Sequence, residues 1–158
     1  MRSAIPGSFD KTVAELGLPE RFSSALSQYA GKITEALKPQ CVILYGSLAK
    51  DTYTTASDID LVVISQHLPE HFFDRLKVLQ ELNNTPCSID AFGYTAEEFQ
   101  NMLDQGHVTA LDALADGIPV HGKEYYMQLQ EIFQEMVNRG LHRSSCTWVL
   151  PKTAHRGP

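Results

Sequence analysis

The run "LYGSLAKDTYTTASDIDLVVI", residues 44–64, leaves one apolar segment through a polar loop and enters another. "CVILY", 41–45, and "DIDLVVI", 58–64, are short continuous apolar runs, the pattern of strands covered on both faces. Two aspartates stand at the mouth of the second run. Side chains alternate along a strand, so Asp58 and Asp60 share one side while Ile59 takes the other. Val62 and Ile64 continue the aspartate side as core, which leaves the acids at the end where solvent or ligand arrives. Carboxylates so placed repel each other, and burying them is unfavourable unless something positive intervenes.

Outward from this stretch the chain alternates helices and strands. Leu18-Pro19 opens a helix with proline in its favoured first turn, and Phe22, Leu26, Tyr29, Ile33 and Leu37 give it one apolar face before Pro39 ends it. Pro69 is expected to start a second helix, with Phe72, Leu76 and Leu79 on one face. "CSIDAFGY", 87–94, reads as a third strand. Thr95 and Glu98 form a capping box ahead of a helix to about Leu103. A short helix over about 108–115 stops at Gly117, "IPVHG" is a brief strand, and a last helix over about 123–139 turns Tyr126, Leu129, Phe133 and Met136 inward. The tail "SSCTWVLPKTAHRGP" offers one extra edge strand before Pro151 and then frays. The expected class is α/β (α+β), a small mixed sheet flanked by helices. One domain over 1–158 is expected, with its core at about 20–122 and the last helix and tail at 123–158.

Composition narrows the function classes. An apolar fraction of 43% with 20% charged residues is that of a globular protein rather than a disordered one. No apolar run approaches the roughly 18 residues of a spanning helix, so no membrane association is expected. "MRSAIPGSFD" lacks the apolar stretch of a secretion signal, and three widely spaced cysteines show no metal-ligand pattern, so a reduced, cytoplasmic setting is expected. The net charge is −6, with thirteen scattered Lys and Arg; an extended nucleic acid is disfavoured as partner for want of a basic footprint.

The chemistry gathers in residues 46–60. Gly46 follows a buried strand, lets the chain turn sharply and lets a ligand approach the main chain. The Ser47 hydroxyl and the free N–H groups of a helix start suit phosphate oxygens. Gly-Ser alone is more often a plain turn, and Gly7-Ser8 is such a pair with no acid at the corresponding distance. Asp58 and Asp60 together make a hard anionic nest suited to Mg²⁺; the bland reading has Asp58 capping a turn and Asp60 meeting a lysine or a helix end. Asp90 is the one charged residue of "CSIDAFGY". Strands lie roughly 4.8 Å apart, so Asp90 joins the pair if its strand is adjacent, and is a surface edge residue if not. Three carboxylates in one pocket can hold two metals about 3.5–4 Å apart, the arrangement for in-line displacement at phosphorus.

Gly46-Ser47, ten residues, then Asp58-Ile59-Asp60 resembles the signature of the DNA polymerase beta nucleotidyltransferase superfamily, and more narrowly its minimal members. Ala49, Lys50 and Ser57 stand in family-like places, Asp90 takes the place of the third carboxylate, and "YTAEEF" and "LDALADGIPVHG" resemble the segments that follow. The resemblance spans about 20–122 and implies a transferase that moves NMP, AMP by preference, from ATP or another NTP to an acceptor hydroxyl. It implies two Mg²⁺ ions, with Mn²⁺ as substitute, on Asp58, Asp60 and Asp90. Phosphates would rest on Gly46 and Ser47, with Lys50 and Ser57 also at the nucleotide. The acceptor it implies is a tyrosine of a HEPN-type helical toxin, giving an antitoxin role in a toxin–antitoxin system. Two departures stand out: Asp51 where the family often has Gly, and Leu48 where it often has Arg or another polar residue. They keep a catalytically silent partner-binding module as an alternative, beside a small-molecule (antibiotic) nucleotidyltransferase acting as a homodimer.

Other residues have plainer readings. His67 and His71 are spaced as metal ligands but are expected to be exposed, and His107 to start a helix. Cys41 and Cys87 read as buried apolar residues, and Trp148 as packing for the tail. Tyr125 and Tyr126 are candidate nucleotidyl acceptors, although Tyr126 fits the inward face better.

Overall fold

In the computed structural model, which describes residues 13–145 and 147–151, the four internal apolar runs form one sheet. Gly7-Ser8, Cys146 and the tail beyond Pro151 lie outside the described residues. The element order is α1 (Glu20–Leu37), β1 (Cys41–Tyr45), α2 (Ser47–Lys50), β2 (Ile59–Ile64), α3 (Phe72–Glu81), β3 (Ile89–Tyr94), α4 (Ala96–Asp104), α5 (Val108–Asp116), β4 (Ile118–His121), α6 (Lys123–Asn138), β5 (His142–Ser144) and β6 (Thr147–Val149). The sheet runs β3-β2-β1-β4, with β1 antiparallel to both neighbours and β2 parallel to β3. A parallel pair needs a crossover, and α3 supplies it. The sheet is thus mixed and covered by helices, as the sequence pattern predicts.

Both faces are dry. Val42, Leu44, Leu61 and Val63 pack against Phe22, Leu26, Tyr29 and Ile33 of α1 on one side. Cys41, Ile43, Val62 and Ile64 pack against Phe99, Leu111, Leu129 and Phe133 of α4, α5 and α6 on the other. This is why the strands read as unbroken apolar runs. Tyr29, buried in α1, donates its hydroxyl to the Leu79 carbonyl at 2.6 Å. That carbonyl lies in the last turn of α3, where helix carbonyls lack an intrahelical donor.

The capping box of α4 is formed: Glu98 N–H donates to Thr95 Oγ1 and Thr95 N–H to Glu98 Oε1. His107 does start α5, its Nδ1 accepting from Thr109 N–H, and Trp148 packs edge-on against Phe133. His67 and His71 are exposed, Cys41 and Cys87 are buried, and Tyr126 is buried with its hydroxyl donating to the Gly117 carbonyl.

Three boundaries differ from expectation. Pro19 is the N-cap of α1 rather than its first helical residue. The helix expected from Pro69 begins at Phe72, with His71 as N-cap, and it turns Arg75 and Leu79 inward while Phe72 is exposed. The reason is Arg75. Its buried guanidinium donates to the Pro69 and Gly93 carbonyls and to both oxygens of Glu98, which pins the chain before α3 in a non-helical path. Among the described residues the tail adds no edge strand to the main sheet; β5 and β6 pair with each other. Arg143 anchors that hairpin to Asp112 and Asp116 of α5, and Trp148 Nε1–H donates to Asp112. No helix among the described residues is long and apolar enough to cross a membrane.

Tyr29→Phe removes one buried donor and leaves a helix-end carbonyl without it. We expect a loss of about 1–2 kcal/mol in unfolding free energy, measured by denaturant titration, with the secondary-structure content of the folded protein unchanged.

Candidate active site

The loop between β1 and β2 closes on itself around Gly46. That residue adopts φ 75°, ψ −156°, a conformation L side chains rarely take, and an added Cβ would fall onto Oδ2 of Asp60. Glycine is therefore required twice, for the turn and for the carboxylate lying against it. α2 starts at the next residue with no side-chain cap; Ala49 and Lys50 donate their N–H groups to the Gly46 carbonyl, and those of Ser47 and Leu48 have no partner among the described residues. Ser47 Oγ hydrogen-bonds Ser57 Oγ at 3.2 Å, and Ser57 Oγ accepts from Thr54 N–H. The loop is tied to α1 by Arg21, which donates to the Thr55 carbonyl, and by an edge-on contact of Tyr53 with Phe22. Lys50 ends α2 exposed to solvent.

Register brings the acids together. Tyr45 of β1 pairs with Asp60 of β2, and Asp60 pairs with Asp90 of β3. The three side chains form one row across three strands at one end of the sheet. Asp58, just ahead of β2 and exposed, comes within hydrogen-bonding reach of Asp90. Burial pushes the Asp60 carboxyl up to about 6, with the Asp90 and Asp58 charges adding to it. Asp90 is raised by burial, then by the charge of Asp58 and a hydrogen bond with it. Burial and the neighbouring acids push the Tyr45 hydroxyl up to about 12, so it stays protonated at neutral pH.

Among the described residues no cation answers these charges. The ion pairs among the described residues, Arg75–Glu98 and Arg143 with Asp112 and Asp116, leave all three acids out. No group of three or more His, Cys, Asp or Glu among the described residues stands ready to enclose an ion. The donor chemistry nonetheless fits one: oxygen-only, anionic, and crowded enough to hold protons above the usual range.

Both departures from the family pattern have structural explanations. Asp51 sits in the left-handed conformation at φ 62°, ψ 34°, so it makes the turn that glycine would make. Leu48 is buried in the α1-side core and does not face the loop's ligand side. Two residues of the site's surroundings went unsingled in the sequence. Arg21 carries no motif, and its partner is a main-chain carbonyl 34 residues away. Tyr45 joins the acid row only through the β1–β2 register, although its place at a strand end beside Gly46 was visible.

Residues 30–107 match the family described as polymerase beta, nucleotidyltransferase. Over 41 residues the chain is 46% identical to a "Putative protein adenylyltransferase" of Methanocaldococcus jannaschii. That match covers 26% of this chain and 28% of the relative, so the chain spans well under a third of the relative's length. The crystal structure of a toxin–antitoxin with AMP-PNP overlays at a TM-score of 0.49 with 15% identity, across 70% of this chain and 85% of that one. So loose a likeness does not bear on the site.

The crowding makes a signed stability prediction. Below about pH 4 Asp60 is protonated whether folded or unfolded; between there and about 6 only the folded state keeps the proton. Stability from this group therefore falls as pH rises through that window. Asp60→Asn should melt above the wild type at neutral pH, with the gap narrowing as pH falls toward about 4. Paired thermal melts across that range check it; a gap that does not change with pH would show that the proton held by the buried Asp60 carboxyl is not the cause.

Proposed function

We propose that this chain, a member of the polymerase beta nucleotidyltransferase family through residues 30–107, transfers a nucleoside monophosphate, AMP by preference, from an NTP to an acceptor hydroxyl. The observation that carries this reading is the row of Asp60 and Asp90 in adjacent strands, with Asp58 beside them and Gly46 against the Asp60 carboxylate. Asp58, Asp60 and Asp90 hold two divalent ions, and Ser47 with the main chain at Gly46 holds the phosphates. Ser57 fixes the Ser47 hydroxyl, and Lys50 stands at the end of the same short helix. Mg²⁺, or Mn²⁺ in its place, supplies charge neutralisation for the triphosphate and makes an attacking hydroxyl more acidic. Asp90 takes the proton of the acceptor hydroxyl as its oxygen bonds to the α-phosphorus and pyrophosphate leaves.

The acceptor we favour is a protein hydroxyl, and by family resemblance a tyrosine of a HEPN-type partner. The name of the M. jannaschii relative, a protein adenylyltransferase, supports that class of acceptor. A silent binding module is a poorer reading, because Asp51 keeps the turn and Leu48 belongs to the core.

Incubation with α-phosphate-labelled ATP, Mg²⁺ and a host lysate tests the reading. The wild type should label an acceptor. Asp58→Asn and Asp60→Asn should lose about 10²-fold or more, together with the rise in melting temperature that Mg²⁺ gives the wild type. Asp90→Asn should lose turnover yet keep more of its affinity for Mg–nucleotide. Transfer by Asp60→Asn at the wild-type rate would overturn the assignment of the ion site.

A further inference from the structure

β3 is the outer strand of the sheet, with β2 as its one neighbour. Ile59 N–H donates to the Ser88 carbonyl and Ser65 N–H to that of Tyr94. In a parallel ladder alternate residues face the partner strand, so Ser88, Asp90, Phe92 and Tyr94 turn their main chain toward β2. The main-chain groups of Ile89, Ala91 and Gly93 turn outward. Arg75 donates to the Gly93 carbonyl at 3.2 Å and closes that end of the edge. Among the described residues nothing bonds the outward groups of Ile89 and Ala91. An open edge of this kind is a template for an added strand.

A groove of about 400 Å³ runs along this edge, between Leu76, Lys77 and Gln80 of α3 and the stretch Ile89–Phe92 of β3. Asp90 is part of its lining, so the groove and the acid row meet at one residue. We propose that the groove seats an extended, acidic polypeptide segment that adds to β3 as a strand and presents a side-chain hydroxyl to Asp90.

This rests on the nucleotidyltransferase reading and names its acceptor. Three features select the occupant. Unbonded main-chain groups at Ile89 and Ala91, two residues apart, match an extended main chain, the recognition mode of strand addition. Leu76 and Phe92 in the walls suit apolar side chains and would strip water from a polyhydroxylated small molecule without replacing its hydrogen bonds. Lys77 is the groove's one cation and Asp90 its one anion. Lys77 therefore draws an acidic residue of the segment, while Asp90 is occupied with the hydroxyl. In the transfer the hydroxyl oxygen bonds to the α-phosphorus, the bond to pyrophosphate breaks, and the hydroxyl proton passes to Asp90.

The test uses the full chain, Mg²⁺, α-phosphate-labelled ATP and pools of short random peptides centred on tyrosine or serine. One pool carries flanking Asp and Glu, a second flanking Lys, and a third the acidic sequences with alternate backbone nitrogens methylated. Glycerol and an aminoglycoside serve as small hydroxyl acceptors, and the melting shift given by MgATP reports nucleotide binding separately. We expect label on the acidic pool, with a loss of at least about tenfold on backbone methylation or in Gln80→Trp, and a preference for the Lys pool in Lys77→Glu. Equal labelling of the methylated pool would overturn the proposal. So would label found only on a small acceptor or on this chain itself, or no peptide label while the MgATP shift persists; in each case the nucleotide reading stands. Absence of the MgATP shift together with absence of label would remove the nucleotide reading, and the groove proposal with it.

Discussion

Repulsion among carboxylates that the fold itself forces together is the constraint on which this molecule turns. Asp60 and Asp90 are register partners in adjacent strands, Asp58 reaches Asp90 from the loop, and none takes part in an ion pair among the described residues. Burial and mutual charge hold Asp60 near 6, well above an ordinary carboxylate. A sheet covered on both faces by helices can carry such a defect because the rest of its surface is apolar and closely packed.

The surrounding structure serves to keep that crowding in place. Glycine at 46 is set by Asp60, whose carboxylate occupies the space of a Cβ. Ser47 is positioned through Ser57, Ser57 through the loop, and the loop through Arg21 and the contact of Tyr53 with Phe22 on α1. On the other flank, Arg75 binds Glu98 and the Gly93 carbonyl and so ties α3 to the far end of β3. β3 is thus clamped at Gly93 and, among the described residues, unbonded on its outer side at Ile89 and Ala91, next to the acid it contributes. The same helix that makes the parallel crossover forms the wall of the groove.

Residues that look like departures from the family pattern turn out to obey the same physics. Asp51 takes the left-handed turn that glycine takes elsewhere, as an Asp side chain tolerates better than most. Leu48 faces the core because the short helix lies with that side on the sheet and α1. A polar residue there would lose its packing or have to turn out of the core.

Much of this was legible in the chain. The four apolar runs, the capping box at Thr95 and Glu98, and the spacing of Gly46-Ser47 from Asp58 and Asp60 are local patterns, and local sterics and burial enforce them. The start of α3 lies beyond the one Pro69 suggests, because the residue that sets it, Arg75, finds its partner Glu98 some 23 positions away. The tail's apolar run gave no sign that it would pair with its own neighbour, since that depends on Arg143 meeting Asp112 and Asp116. Composition and spacing determined which residues are candidates for the chemistry and at which ends of strands they lie. Strand order and register decided the rest, setting Asp90 beside Asp60, Tyr45 in their row and an open edge along β3. Main-chain hydrogen bonds between distant segments fix those choices, and no single segment encodes them.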